Sequence, residues 1–119
     1  MCEMTDTDQV VRKPRFIYVA GPYSSGDPVV NTRNAVLAGD ELVRHGYVPF
    51  IPHLSMLWHF ISPHDIHFWY DYDIEWLYKC HAVLRLPGES IGADYEVNAA
   101  EMLGIPVYYS IEELLSGNN

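Results

Sequence analysis

The apolar positions of this chain come in short blocks separated by amphipathic stretches. Arg15-Phe16-Ile17-Tyr18-Val19-Ala20 is a continuous β-rich run, which predicts a central strand of a parallel sheet. Gly21 to Gly26 is a loop. Asp27 then reads as an N-cap and Pro28 as the first residue of a helix reaching about His45. Ala35, Ala38 and Leu42 lie on its inner face, and Gly46 stops it. Tyr47 to Ile51 is a second strand closed by Pro52. His53 to Ile61 is apolar and aromatic and reads as a short helix. Ser62-Pro63-His64-Asp65 has the form of a helix start, and that helix is expected to reach Lys79. Ile66, Tyr70, Asp73, Ile74 and Leu77 form its stripe, with Glu75 and Lys79 as an exposed pair. His81 to Leu86 is a third strand. A loop with Gly88, Ser90 and Gly92 leads into a helix that carries Glu96 in its first turn and ends at Leu103-Gly104. Val107 to Ser110 is a fourth strand, and Ile111 to Leu115 a last short helix.

Strands alternating with helices predict an α/β fold: a three-layer sandwich around a parallel four- or five-stranded sheet with right-handed crossovers. The order is about 2-1-3-4, as in flavodoxin- and Rossmann-like folds. The switch point then falls between strands one and three, where ligands bind at the strands' carboxyl ends. Two glycine-bearing loops, 21–26 and 88–92, meet there.

Composition narrows the function. The 119 residues make one domain, expected over 15–116, preceded by a disordered polar tail over 1–14 that is no signal peptide. A net charge of −9 speaks against nucleic acid as a partner. No apolar run approaches a membrane span. Cys2 and Cys80 form neither a disulfide framework nor a zinc spacing, which fits reduced thiols in a cytoplasmic protein.

Glu96 is the residue whose position asks for chemistry. Ala99, Ala100 and Leu103 lie three, four and seven residues beyond it, so it is expected on the inward face of its helix. A carboxylate there needs a partner, and the nearby helix N-terminus favours its ionised form. It suits a nucleophile or base; an ordinary exposed first-turn acid is the alternative reading. Asp73 is a second carboxylate on an inward stripe, with a hydrogen-bonded structural acid as its alternative.

Ile17-Tyr18-Val19-Ala20-Gly21-Pro22-Tyr23, Asp73-Ile74-Glu75-Trp76-Leu77 and Ser90-Ile91-Gly92-Ala93-Asp94-Tyr95-Glu96, in this order, resemble the nucleoside 2-deoxyribosyltransferase superfamily. That superfamily includes base-exchanging transferases, deoxynucleoside 5′-monophosphate N-glycosidases and uncharacterised members; Leu86-Pro87-Gly88 is most similar to the last. The resemblance implies that Glu96 attacks C1′ of the sugar and forms a glycosyl ester. It implies that Tyr18 orients Glu96, and that Asp73 protonates the departing base or contacts the sugar. Ser90 stands where the transferases carry an aspartate and the monophosphate hydrolases a serine that meets the 5′-phosphate. An aspartate would repel a phosphate, so Ser90 favours a nucleotide. The hydrolases' arginines after strand one are missing from Ser24-Ser25-Gly26-Asp27; Arg33 is the nearest substitute. Substrate contacts are expected from Gly21, Tyr23 and Ser24 of the first loop and from Ser90 and Gly92 of the second; His53 after strand two is a further candidate, with a loop histidine bonded to backbone as the favoured alternative reading.

The expected activity is hydrolysis of the N-glycosidic bond of a (deoxy)nucleoside 5′-monophosphate. The alternatives are base exchange by a deoxyribosyltransferase and a non-catalytic nucleotide-binding module. The partner is a small-molecule nucleotide or nucleoside. No cofactor is expected, since Gly21 to Gly26 is neither a Walker loop nor a dinucleotide fingerprint. No metal is expected either: His64 and His67 are three apart, and the His-Glu-x-x-His order is missing. Dense aromatics between Trp58 and Tyr72 read as core plus the interface of a homo-oligomer, dimer or tetramer. Trp58 or Phe60 is the candidate to stack on a base.

Overall fold

The computed structural model describes residues 15–117. The predicted tail, with Cys2, lies outside the described residues. Strands β1 (Phe16–Ala20), β2 (Val48–Phe50), β3 (Ala82–Arg85) and β4 (Val107–Tyr108) form one all-parallel sheet of order β2-β1-β3-β4. Helix α1 (Pro28–Arg44) joins β1 to β2. A 3-10 turn (Pro52–Ser55) and helices α2 (Met56–Ile61) and α3 (Ile66–Leu77) lead to β3. Helix α4 (Ile91–Met102) joins β3 to β4, and α5 (Ile111–Gly117) closes the described chain.

The period of two in β1 builds the layers. Ile17 and Val19 face one side with Ala82 and Leu84, under Ala35 and Leu42 of α1 and Leu114 of α5. Tyr18 and Ala20 face the other with Val83, under Ile74 and Leu77 of α3 and Ala93 and Ala100 of α4. Cys80 joins this second core as a free thiol, pushed up to about 11 by burial. Tyr18 is thus a polar side chain in an apolar layer, and its hydroxyl must find a partner there.

Helix ends explain where the elements stop. Asp27 caps α1 by accepting from the Val29 N–H at 2.8 Å. Gly46 and Gly104, at φ +89° and +75°, close α1 and α4. In each case the next residue's N–H returns to the carbonyl three positions before the cap: Tyr47 to Leu42 and Ile105 to Ala100. Three local expectations are corrected. Helix α3 starts at Ile66, capped by Asp65 on the Phe68 N–H, whereas Ser62 ends α2. The expected Glu75–Lys79 pair is not formed, because α3 ends at Leu77 and Lys79 has left its surface. Leu103 is exposed, because it is the C-cap residue rather than part of the packed face of α4.

Candidate active site

At the carboxyl end of the sheet a cleft of about 930 Å³ opens between the β1 loop, the turn after β2, α3 and the start of α4. Gly21, Tyr23, Ser24, His53, Asp73, Ser90, Gly92 and Glu96 all line it, so the structure brings together the two expected carboxyls and the expected loop contacts, while Tyr18, Arg33, Trp58 and Phe60 lie outside the lining. Tyr18 stands behind Glu96: it is fully buried, and its hydroxyl donates to Glu96 Oε2 at 2.5 Å. Burial and the facing carboxyls Glu96 and Asp73 hold the phenol well above its usual range, so it remains a donor.

Glu96 is buried, and α4 begins at Ile91, so it sits in the second turn rather than the first. The helix N-terminal field fades beyond the first turn. The expected dipole-ionised group is therefore a carboxyl raised by burial to about 8, against the opposing pulls of the Tyr18 hydrogen bond and the Arg85 charge. Asp73 reaches about 7, also by burial, and its Oδ1 is buried without a hydrogen-bond partner. Two neighbouring carboxyls that both resist ionising keep at least one proton on the pair near neutral pH, which suits shared acid–base work.

The loops are held by groups that earned no weight in the sequence. Asn31 Nδ2 donates to the Tyr23 and Ser25 carbonyls, both at 2.8 Å, and pins the β1 loop. Nothing marks Asn31 in the sequence beyond its place early in a helix. Arg85 ends β3 buried; its guanidinium donates to the carbonyls of Leu86 and Gly88 and meets Asp94 Oδ1 at 3.0 Å. An arginine in an otherwise apolar central strand, nine residues before an aspartate, was the available signal. Gly21 is tightly packed: a Cβ there would stand 3.0 Å from Leu86 Cβ, so Leu86 would have to give by a few tenths of an ångström.

The His53 ring is buried beside Tyr23, edge to face at 6.1 Å between centroids. Its Nε2 lies 2.9 Å from the Pro22 carbonyl, an acceptor, so the proton is on Nε2. Nδ1 is then a bare lone pair, buried and without a partner, and burial keeps the ring neutral by lowering its pKa. Such a nitrogen matches a hydroxyl or N–H of a ligand, not a phosphate oxygen.

Ser90 is the N-cap of α4; its Oγ accepts from the Ala93 N–H at 3.0 Å. That leaves the N–H groups of Ile91 and Gly92 at the cleft without an internal partner. Arg33 is exposed and does not line the cleft, so it is no substitute for the missing loop arginines. Trp58 and Phe60 do not line it either; Trp69 and Tyr70 do, with Trp58 packed edge to face behind Trp69 at 5.0 Å. Among the described residues, no three His, Cys, Asp or Glu side chains are placed to hold a metal ion, and no helix is long and apolar enough to cross a membrane.

Comparison with known proteins adds the fold and the family. A solved 2-deoxyribosyltransferase from the psychrotolerant bacterium Bacillus psychrosaccharolyticus superposes with a TM-score of 0.56 at 20% identity, over 77% of this chain and 69% of that one. At this identity the likeness speaks for the fold. No curated protein matches the sequence. The sequence model of a family described as a domain of unknown function, DUF7768, matches residues 15–110, which takes in β1, both cleft loops, Asp73 and Glu96. The chain therefore belongs to the DUF7768 family.

Proposed function

We propose that this protein cleaves the N-glycosidic bond of a (deoxy)nucleoside 5′-monophosphate by way of a glycosyl ester on Glu96. The observation that carries the reading is the buried Tyr18–Glu96 hydrogen bond of 2.5 Å, with Glu96 lining a cleft that Asp73 shares. Ionised Glu96 forms a bond from a carboxylate oxygen to C1′ while the C1′–N bond breaks. The electron pair of that bond leaves with the base, which takes a proton from Asp73. Water then adds its oxygen to C1′, the ester oxygen returns to Glu96, and the water's proton returns to Asp73. Sugar phosphate and free base are the products. The oxocarbenium-like transition state is favoured by the carboxylate beside it. Phosphate binding is supported by the free N–H groups of Ile91 and Gly92 with the Ser90 hydroxyl, at the start of a twelve-residue helix.

A second reading, base exchange on an unphosphorylated nucleoside, is favoured by one observation. The cleft is lined by Asp73, Glu89, Asp94 and Glu96 and by no lysine or arginine. The two readings separate in one chromatographic assay: nucleosides and nucleoside 5′-monophosphates, ribo and deoxy, with and without a second free base, using the wild type and Glu96→Gln. Free base from monophosphates alone supports the first; a new nucleoside formed only with the added base supports the second. Binding with no bond cleavage in any mixture would leave a nucleotide-binding module.

Self-association belongs to the same proposal. Leu57, Phe60 and Ile61 on α2 are between 65% and 76% exposed, a contiguous apolar face that a second copy would cover. Light scattering on the whole chain should report a dimer or tetramer; a monomer at micromolar concentration would remove this part.

A further inference from the structure

His59 of α2 lines the cleft with its ring locked by two donors. The indole Nε1–H of Trp69 donates to His59 Nδ1 at 2.9 Å, and the backbone N–H of His64 points at the same nitrogen at 3.3 Å. Indole and peptide nitrogens can only donate, so Nδ1 keeps its lone pair and the proton of the neutral ring sits on Nε2. No described residue accepts from Nε2. Trp69 is itself gripped edge to face by Trp58 at 5.0 Å and by Phe68 at 4.9 Å. The result is an N–H donor of fixed tautomer at the edge of the cleft.

Its place in the cleft gives it a direction. Asp73 follows Trp69 by four residues on α3, so both lie on one helical face, and His59 is attached to that wall. Glu96 belongs to α4, which Ser90 caps and which packs beside α3, Tyr70 stacking on Tyr95 at 5.6 Å. With Asp73 as the proton donor to the leaving base, the base departs toward the face of α3 that carries Asp73 and Trp69, where Trp69 holds His59.

We propose that His59 reads the nucleobase: its Nε2–H donates to an acceptor atom of the base, a carbonyl oxygen or an unprotonated ring nitrogen, with Trp69 as its positioning residue. The inference rests on the N-glycoside reading above. As the C1′–N bond breaks, its electron pair spreads over the base and the acceptor becomes more negative, so the bond strengthens toward the transition state. A donor that cannot switch to acceptor matches a carbonyl at that point and opposes an amino group there.

The test needs no turnover. Long-range ¹⁵N–¹H correlation on the histidine rings of the whole protein should show His59 as the Nε2–H tautomer, and Trp69→Phe should lose that single-tautomer signature. Calorimetric binding of nucleoside 5′-monophosphates should weaken about tenfold in His59→Ala, the loss of one hydrogen bond. Ribose 5-phosphate, which has no base, should bind the variant as it binds the wild type. His59→Gln, which keeps an N–H donor, should retain part of the nucleotide affinity. Equal weakening of both ligands, or no change in either, would overturn the assignment. Tight nucleotide binding without base release by the wild type would sink the glycosidase reading and leave His59 standing; no binding by the wild type would sink both.

Discussion

The Tyr18 hydroxyl and the Glu96 carboxylate meet at 2.5 Å across two elements 78 residues apart, one on the central strand and one on the helix after β3. Tyr18 is the single long polar side chain of its apolar layer, and Glu96 is the one carboxyl it reaches. Each explains the other's burial. Tyr18→Phe removes the donor that helps Glu96 ionise. Losing a hydrogen bond to a charged group, about 1.5–3 kcal/mol, should lower kcat/KM by roughly 10- to 100-fold. The acid limb of the pH profile should move upward. An unchanged profile would separate Tyr18 from the chemistry.

The pH optimum follows from the paired carboxyls. Turnover as proposed needs one proton on the pair, with Glu96 ionised and Asp73 protonated. With Asp73 at about 7 and Glu96 at about 8, the pair carries one proton between those values, resting mainly on Glu96; the productive form, with that proton on Asp73, is a minor fraction that rises and falls with it. kcat/KM should fall below as both protonate and above as both ionise. Asp73→Asn should cost roughly 10²–10⁴ in rate and erase the alkaline limb. A wild-type rate in that variant would remove Asp73 from the site.

Stability should respond to Glu96 in the opposite sense to activity. Its folded-state pKa is raised, so the folded state binds the proton more tightly than the unfolded chain does. The stabilisation this gives is complete below about 4.5 and is lost as pH rises through about 8. Glu96→Gln keeps an oxygen for Tyr18 without the charge. It should melt near the wild type at pH 5 and several degrees above it at pH 9. A variant less stable at pH 9 would mean that the buried charge is better compensated than its surroundings indicate.

Ser90→Asp keeps an N-cap acceptor for the Ala93 N–H, so the fold should be retained. The added charge beside the Ile91 and Gly92 N–H groups should weaken nucleoside monophosphates about tenfold or more, leaving nucleosides little changed. If both respond alike in a binding titration, phosphate does not sit there.

Arg85→Met should loosen the loop after β3 more than Asp94→Asn does. The methionine leaves the Leu86 and Gly88 carbonyls without their donor, at about 1–3 kcal/mol, whereas Asp94 is a largely exposed partner. Chemical denaturation should rank the two in that order; the reverse order would make the ion pair, not the carbonyl contacts, the anchor.

Much of this was legible from local pattern. The apolar run at Ile17–Ala20, the Asp27-Pro28 start and the glycine stops depend on neighbouring residues, and strands and helices formed where they pointed. The sheet order β2-β1-β3-β4 is the one expected of a flavodoxin- or Rossmann-like alternation of strands and helices. Long-range contacts were harder to read. The protonation of Glu96 depends on how deeply α4 packs, which a one-turn shift in its start alters. Ser62-Pro63 looked like a cap, yet Asp65 supplied the better acceptor three residues before Phe68. The aromatic at the cleft is Trp69 rather than Trp58, because α2 presents Trp58 to the back of Trp69, and only packing decides that.

The most direct test of the central claim is to trap the ester. A 2′-fluoro nucleoside 5′-monophosphate slows breakdown of the ester, because fluorine destabilises the oxocarbenium-like transition state. Incubation with the wild type, proteolysis and mass spectrometry should find a fluoro-sugar phosphate on the peptide carrying Glu96, and none in Glu96→Gln. Base release with no adduct, or an adduct on another residue, would contradict Glu96 as the nucleophile.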